Sequence, residues 1–298
     1  MADISLALGG GGVKGIAHLG VLERLEQEGF HIKAIAGTSA GGIVGAVFAA
    51  GYRTADVFDV LSNINQRKFF SRLPNDGPSL LGLAGLIDLL SSYLGDKTFK
   101  DLAIPFAVTA VDAESKQEFI LRQGHVKDAV LATIAIPGVF PPRRFGSANL
   151  VDGGILDPVP VAVARWLAPK LPVVAVCLSP TPEKWSELTT ISPPINIPIP
   201  GMLWDQIART RISQALKLFI ESIEITTHMI AETRLQIEKP EIIIRPAVHH
   251  IGILDQVIPQ ELIQAGAVAA EEALPKIHEA LGWRQKITRR FHDAEPPG

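Results

Sequence analysis

Ser39 lies in Gly37-Thr38-Ser39-Ala40-Gly41, a G-x-S-x-G pentapeptide between the apolar runs IKAIA and IVGAVFAAG. In that setting a serine hydroxyl can act as a nucleophile. Glycines on both sides let the chain turn sharply, and the N-terminus of a following helix favours a developing oxyanion. The pentapeptide alone leaves a second use open, because serine at a strand-to-helix joint is often only an N-cap. A second glycine turn, Gly9 to Gly15 in GGGGVKG, offers successive unencumbered backbone N–H groups and so an anion cradle. Three anions fit such a cradle: a dinucleotide phosphate, a nucleotide triphosphate, or the oxyanion of an ester under attack. Gly10, Gly12 and Gly15 satisfy G-x-G-x-x-G, yet the second strand ends in Gly37-Thr38-Ser39 with no carboxylate to hold a ribose. A nucleotide-binding Lys-Ser/Thr pair is also missing, since Ile16 and Ala17 follow Gly15. The oxyanion use remains, and it requires a nucleophile beside the cradle.

The elements that must position these turns are legible in the apolar pattern. Residues 4–8 read as a buried strand, 13–28 as a helix closed by Gly29, 32–36 as a second strand and 40–50 as a second helix. Strand, helix, strand, helix in this order predicts a parallel sheet with right-handed crossovers. Both turns then sit at one carboxyl edge, with Ser39 beside the glycine cradle. Further strands are expected at 106–111, 117–121, 149–151, 173–178 and 241–245, and long helices at 204–238 and 259–281. Residues 34–52 carry no charge, but their glycines favour a turn and a buried helix over a membrane span. Residues 69–96, rich in Leu, Gly and Ser, are expected to cover a site. A domain over 1–283 is expected, followed by a polar, basic tail at 284–298.

Four ordered motifs resemble the patatin-like phospholipase family, in particular its bacterial and neuropathy-target-esterase-like branch. They are GGGVKG followed by AHLGVL, the elbow GTSAG, ATIAIPGVFPP at 132–142 and LVDGG at 150–154. The resemblance implies an α/β fold of three layers, α/β/α, around a central, mainly parallel sheet. It implies a Ser-Asp dyad of Ser39 and Asp152, an acyl-enzyme intermediate, and an oxyanion hole at Gly10, Gly11, Gly12 and the neighbourhood of Lys14. Phospholipid or lysophospholipid substrates follow from it, with no cofactor and no metal. The chain departs from the family at Lys14, where arginine is commoner, in ATIAIPG, where serines are frequent, and at Asp157, where asparagine is frequent. From the residues alone, an acid followed by two glycines can approach another loop closely, although Asp-Gly turns also arise for conformational reasons. Asp157, before a proline, reads as a cap. A carboxylate with an ordinary pKa of ~3.9 is a weak base at neutral pH, so the dyad is expected to work by orientation.

Competing uses of the same serine are a Ser-His-Asp triad through His249 or His250, acyl transfer to an alcohol, and a non-catalytic lipid-binding module. Position 39 is early in the chain for a triad nucleophile. His18, a turn beyond the glycines, reads as structural, and the remaining histidines show no metal spacing. The net charge of −3 over 298 residues gives no basic excess for nucleic acid. Cys177 reads as a small core residue, and the opening residues lack a signal-peptide pattern, so a cytoplasmic location is expected. Peripheral contact with a membrane is expected, if anywhere, at Ile195, Ile197, Ile199, Met202, Leu203 and Trp204. The alternative there is a helix that buries Ile212, Leu216, Phe219, Ile220 and Ile223 on the domain.

Overall fold

The structure, a computed structural model, describes residues 2–63, 71, 79, 81–187 and 211–282. Among these residues eight strands form one sheet: β1 (Ala2–Leu8), β2 (Phe30–Gly37), β3 (Phe106–Asp112), β4 (Glu118–Leu121), β5 (Arg143–Phe145), β6 (Ala148–Asp152), β7 (Val173–Val176) and β8 (Ile242–Ile244). Their order is β5-β6-β3-β2-β1-β7-β8, with β4 paired to β3. The run β3-β2-β1-β7-β8 is parallel, whereas β4, β5 and β6 pair antiparallel. The central strands are apolar on both faces because helices cover both.

Side-chain alternation divides the core in two. Leu6 and Leu8 of β1 and Val174 and Val176 of β7 enter one core. There they meet α1 (Ala17–Gln27), α2 (Ala40–Ala49), α4 (Ala84–Leu94), α5 (Val126–Thr133) and α8 (Pro259–Ala280) through residues such as Leu22, Val47, Leu90, Val130 and Ile277. The intervening Ala7, Val173 and Ala175 pack on the opposite face against Val161 and Ala164 of α6 (Val161–Leu167) and Ala231 and Leu235 of α7 (Arg211–Glu238). Helices on both faces of a mostly parallel sheet make the expected three layers. A further helix, α3 (Thr54–Asn63), follows α2.

Most expected strands and helices form within a few residues of their anticipated limits. The short, arginine-rich β5 carries no apolar alternation and was not expected. The first helix begins later than its pattern suggested, at Ala17, because a 3-10 turn over Gly12–Ile16 precedes it. The uncharged stretch 34–52 forms the end of β2 and the buried α2. No helix among the described residues is long and apolar enough to cross a membrane. Residues 195–204 and the tail 284–298 lie outside the described residues. Of the helix stripe, Ile220 is buried as anticipated, whereas Phe219 is 46% exposed.

The topology brings two distant segments together. β4 pairs β3 along Val108–Val111 and so takes one edge of that strand. The other edge is shared: β2 pairs with Phe106–Val108, and β6 with Ala110–Asp112. Gly37 at the end of β2 faces Val108, and Asp152 at the end of β6 faces Ala110. The strand carrying Asp152 therefore ends two residues along β3 from the strand that delivers Ser39.

Candidate active site

Ser39 joins β2 to α2 with φ 51° and ψ −120°, one of the few non-glycine residues at positive φ. Such a conformation costs about 1–3 kcal/mol and persists only where the surroundings enforce it. Part of the enforcement is Gly41. A Cβ there would collide with the carbonyl of Leu8, so only glycine lets α2 begin against the end of β1. The rest is a hydrogen bond: the backbone N–H of Ser39 donates to Thr133 Oγ1 at 2.8 Å.

The hydroxyl of Ser39 does not cap α2. It donates instead to Asp152 Oδ2 at 2.7 Å. The other carboxylate oxygen, Oδ1, accepts the N–H of Gly154 at 2.7 Å. Both side chains are buried, Ser39 at 7% and Asp152 at 5% exposure. Burial pushes the Asp152 carboxyl up from 3.8 to about 6, against the lowering effect of its bonds from Ser39 and Gly154. The expectation that the dyad would rely on orientation is thus extended: the site also raises the basicity of its carboxylate. No histidine bonds to Ser39 or Asp152 among the described residues. His249 and His250 meet edge to face, with ring centroids 6.0 Å apart and the planes at 89°.

The glycine loop reaches this pair, since a Cβ on Gly10 would lie 3.2 Å from Ser39 Cβ. Its amides are unequally free. The N–H of Gly9 donates to Val176 O, that of Gly10 to Pro158 O, that of Val13 to Ile253 O and that of Lys14 to Gly11 O. Gly10 and Lys14 therefore have no backbone donor to spare for an oxyanion. Gly11 caps the 3-10 turn and Gly12 opens it, positions whose N–H groups have no partner within the turn, and neither meets another acceptor among the described residues. The Lys14 side chain is buried and pairs with Glu224 Oε1 of α7 at 3.0 Å, tying the loop to that helix. His18 Nε2–H donates to Gly9 O at 2.8 Å, and burial lowers its pKa to about 4, so it braces the loop as a neutral ring.

Residues 6–165 match the family model described as patatin-like phospholipase. The chain belongs to the patatin-like phospholipase family. Its relatives include an NTE family protein of Mycobacterium tuberculosis that is 36% identical over 162 residues, covering 53% of this chain and 44% of that protein. Another M. tuberculosis NTE family protein is 32% identical over 282 residues, covering 91% of this chain and 46% of its own length. The lysophospholipase NTE1 of Saccharomyces cerevisiae is 28% identical over 172 residues, covering 54% of this chain and 10% of that protein. The chain thus spans less than half the length of these curated relatives. Among solved structures, VipD from Legionella pneumophila aligns with a TM-score of 0.48 and 13% identity, over 93% of this chain and 66% of that one.

Two features escaped the sequence. Asp157 is not a cap; it is wholly buried, with Arg234 Nη2 at 3.2 Å. Thr133 is the other. It lies inside the quoted ATIAIPG block, but nothing in its type indicated that it would hold the backbone of Ser39. Thr133→Val, nearly the same shape without the oxygen, leaves the Ser39 N–H buried without an acceptor. A kcat loss of about tenfold is expected, with KM little changed and Thr133→Ser recovering most of it. Steady-state kinetics of the three proteins check this, and an unchanged kcat in the valine variant would show that the contact does not hold the elbow.

Proposed function

We propose that this chain is a serine ester hydrolase that cleaves the acyl esters of phospholipids or lysophospholipids through Ser39 and Asp152. The observation that carries the reading is the 2.7 Å bond from the Ser39 hydroxyl to a buried carboxylate of raised basicity, with no histidine between them. The relative named as a lysophospholipase supports the choice of substrate.

In the proposed reaction Ser39 Oγ attacks the acyl carbonyl carbon as its proton passes to Asp152 Oδ2. The carbonyl oxygen becomes an oxyanion, for which the N–H groups of Gly11 and Gly12 are the available donors. A positioned donor of this kind is typically worth about 3–4 kcal/mol in the transition state. The intermediate collapses, the lipid alcohol leaves with the proton from Asp152, and the acyl group remains on Ser39. Water then attacks the acyl-serine and gives a proton to Asp152. Release of the fatty acid returns that proton to Ser39. Every proton is accounted for by one carboxylate, and the step needs no metal.

A lipid surface is the proposed peripheral contact, supported by the outer face of α7. Leu218, Ile225 and Met229 are 65%, 60% and 48% exposed there. The neighbouring Ser222, Thr226 and Thr233 turn their hydroxyls back onto carbonyls of their own helix. That face consequently asks little of water.

A panel of phospholipids and lysophospholipids, followed by mass spectrometry, tests the reading. Fatty acid should be released by the wild type and not by Ser39→Ala. Release that persists in Ser39→Ala, or no release from any ester by the wild type, contradicts it.

A further inference from the structure

Three carboxyl groups converge on one guanidinium behind the candidate dyad. Arg234 of α7 places Nη2 3.2 Å from Asp157 Oδ2, Nη1 3.4 Å from Glu118 Oε2 of β4, and Nε 2.8 Å from Glu238 Oε1 at the end of α7. Asp157 is fully buried and Glu118 nearly so, with 9% of its side chain exposed. If all three acids were ionised, three negative charges would share one positive charge away from water, an arrangement that like-charge repulsion and desolvation both oppose.

The hydrogen bonds indicate which acid keeps a proton. Glu238 is fully used, since Oε1 accepts from Arg234 and Oε2 accepts the N–H of Ala162 at 2.8 Å. Asp157 Oδ1 and Oδ2, by contrast, accept no well-directed N–H, and Glu118 Oε1 is equally bare. Asp157 Oδ2 and Glu118 Oε2 sit on the two terminal nitrogens of the same guanidinium, at 3.2 and 3.4 Å, which sets the two carboxyls side by side, where they can share a hydrogen bond. Two carboxyls can bond in that way only when one of them carries a proton. Arg234, Glu118 and Glu238 are the charged groups that act on Asp157, and they come from β4 and α7, the elements packed against it.

We infer that Asp157 is a positioning residue that works as a neutral acid, its O–H donated to the Glu118 carboxylate, and that this bond locks the loop carrying the dyad. The loop connections are short. Asp157 N–H donates to Gly153 O at 2.9 Å, closing the turn that follows Asp152. Asp157 O accepts the Thr38 hydroxyl at 2.8 Å, next to Ser39 in the chain, and Thr38 Oγ1 also meets Thr109 Oγ1 at 2.7 Å. Arg234 Nη1 adds a bond to Leu156 O at 3.2 Å. One buried proton thereby fixes α7, β4, the Asp152 turn and the Ser39 elbow to one another. Burial is also what raises the Asp157 carboxyl well above the usual carboxylate range, with Arg234 pulling the other way.

Thermal unfolding against pH tests the inference without reference to the reaction. A carboxyl raised in the folded state holds its proton while the unfolded chain releases it above about pH 4. Its stabilising contribution is present below that pH and is lost as pH rises toward the folded pKa. Asp152 adds a slope of the same sign only up to about pH 6. Above the pH range in which Asp152 titrates, the wild-type Tm should fall, whereas Asp157→Asn, which keeps the donor without the proton equilibrium, should show a flatter Tm that crosses above the wild type. Infrared difference spectra should show a protonated carboxyl band that the asparagine variant loses. The activity arm rests on the hydrolase reading: Asp157→Leu should lower kcat by about tenfold at similar KM, and Asp157→Asn should restore it. An unchanged pH slope in Asp157→Asn, or a wild type without the carboxyl band, overturns the inference whatever the enzyme's substrate. Failure of the kinetic arm alone overturns the link from this bond to the dyad.

Discussion

Asp152→Asn should lower ester turnover by about 10²–10⁴-fold, the range typical of removing a general base, while making the protein more stable at neutral pH. Asparagine can still accept the Gly154 N–H, but it cannot take the proton of Ser39. The stability gain follows from the sign of the pKa shift. Burial holds the folded carboxyl near 6 against 3.8, so the unfolded chain gives up its proton first and stability falls as pH rises from about 4 to about 6. A shift of that size corresponds to about 3 kcal/mol, which the asparagine variant does not lose. Wild-type turnover should rise with pH through about 6 as the base ionises. Calorimetry and a pH–rate profile check both halves. A variant that loses activity and stability together at neutral pH would instead make Asp152 a structural anchor.

Gly12→Ala is expected to cost about 10²–10³-fold in kcat, the scale of losing one oxyanion donor. The backbone there has φ +60°, and a Cβ would collide with Ile253 O, the acceptor that fixes Val13. Relieving the collision must swing the peptide whose N–H is the proposed donor. Because the ground-state carbonyl gains little from that N–H, KM should change far less than kcat. Steady-state kinetics on a soluble ester decide it. A raised KM at constant kcat would make the loop a ground-state anion site.

The central fold was legible because its signals are local. Apolar runs bounded by glycine turns give β1, α1, β2 and α2, and the order strand-helix-strand-helix sets the parallel core. The meeting of Ser39 with Asp152 was not local. It depends on β6 running antiparallel into the same edge of β3 that β2 leaves at Val108, a pairing no periodicity encodes. Here the family motifs supplied what the pattern could not. The Arg234, Glu118 and Asp157 cluster was invisible for a related reason. By spacing alone Arg234 and Glu238 are indistinguishable from an ordinary i,i+4 helix pair, and Asp157 reads as a cap before a proline. Only tertiary burial gives them a different chemistry. Likewise, no local rule separates the committed amide of Gly10 from that of Gly12, since the acceptor of Gly10, Pro158 O, comes from a distant loop.

Covalent trapping tests the central claim most directly. A fluorophosphonate should form one bond, from Ser39 Oγ to phosphorus with loss of fluoride, because the proposed nucleophile and its proposed base are already in contact at 2.7 Å. Peptide mapping should find a single adduct on the peptide containing Ser39, formed faster as pH rises through about 6 and greatly slowed in Asp152→Asn. An enzyme that turns over esters yet carries no adduct at Ser39, or carries it on another residue, would contradict the account.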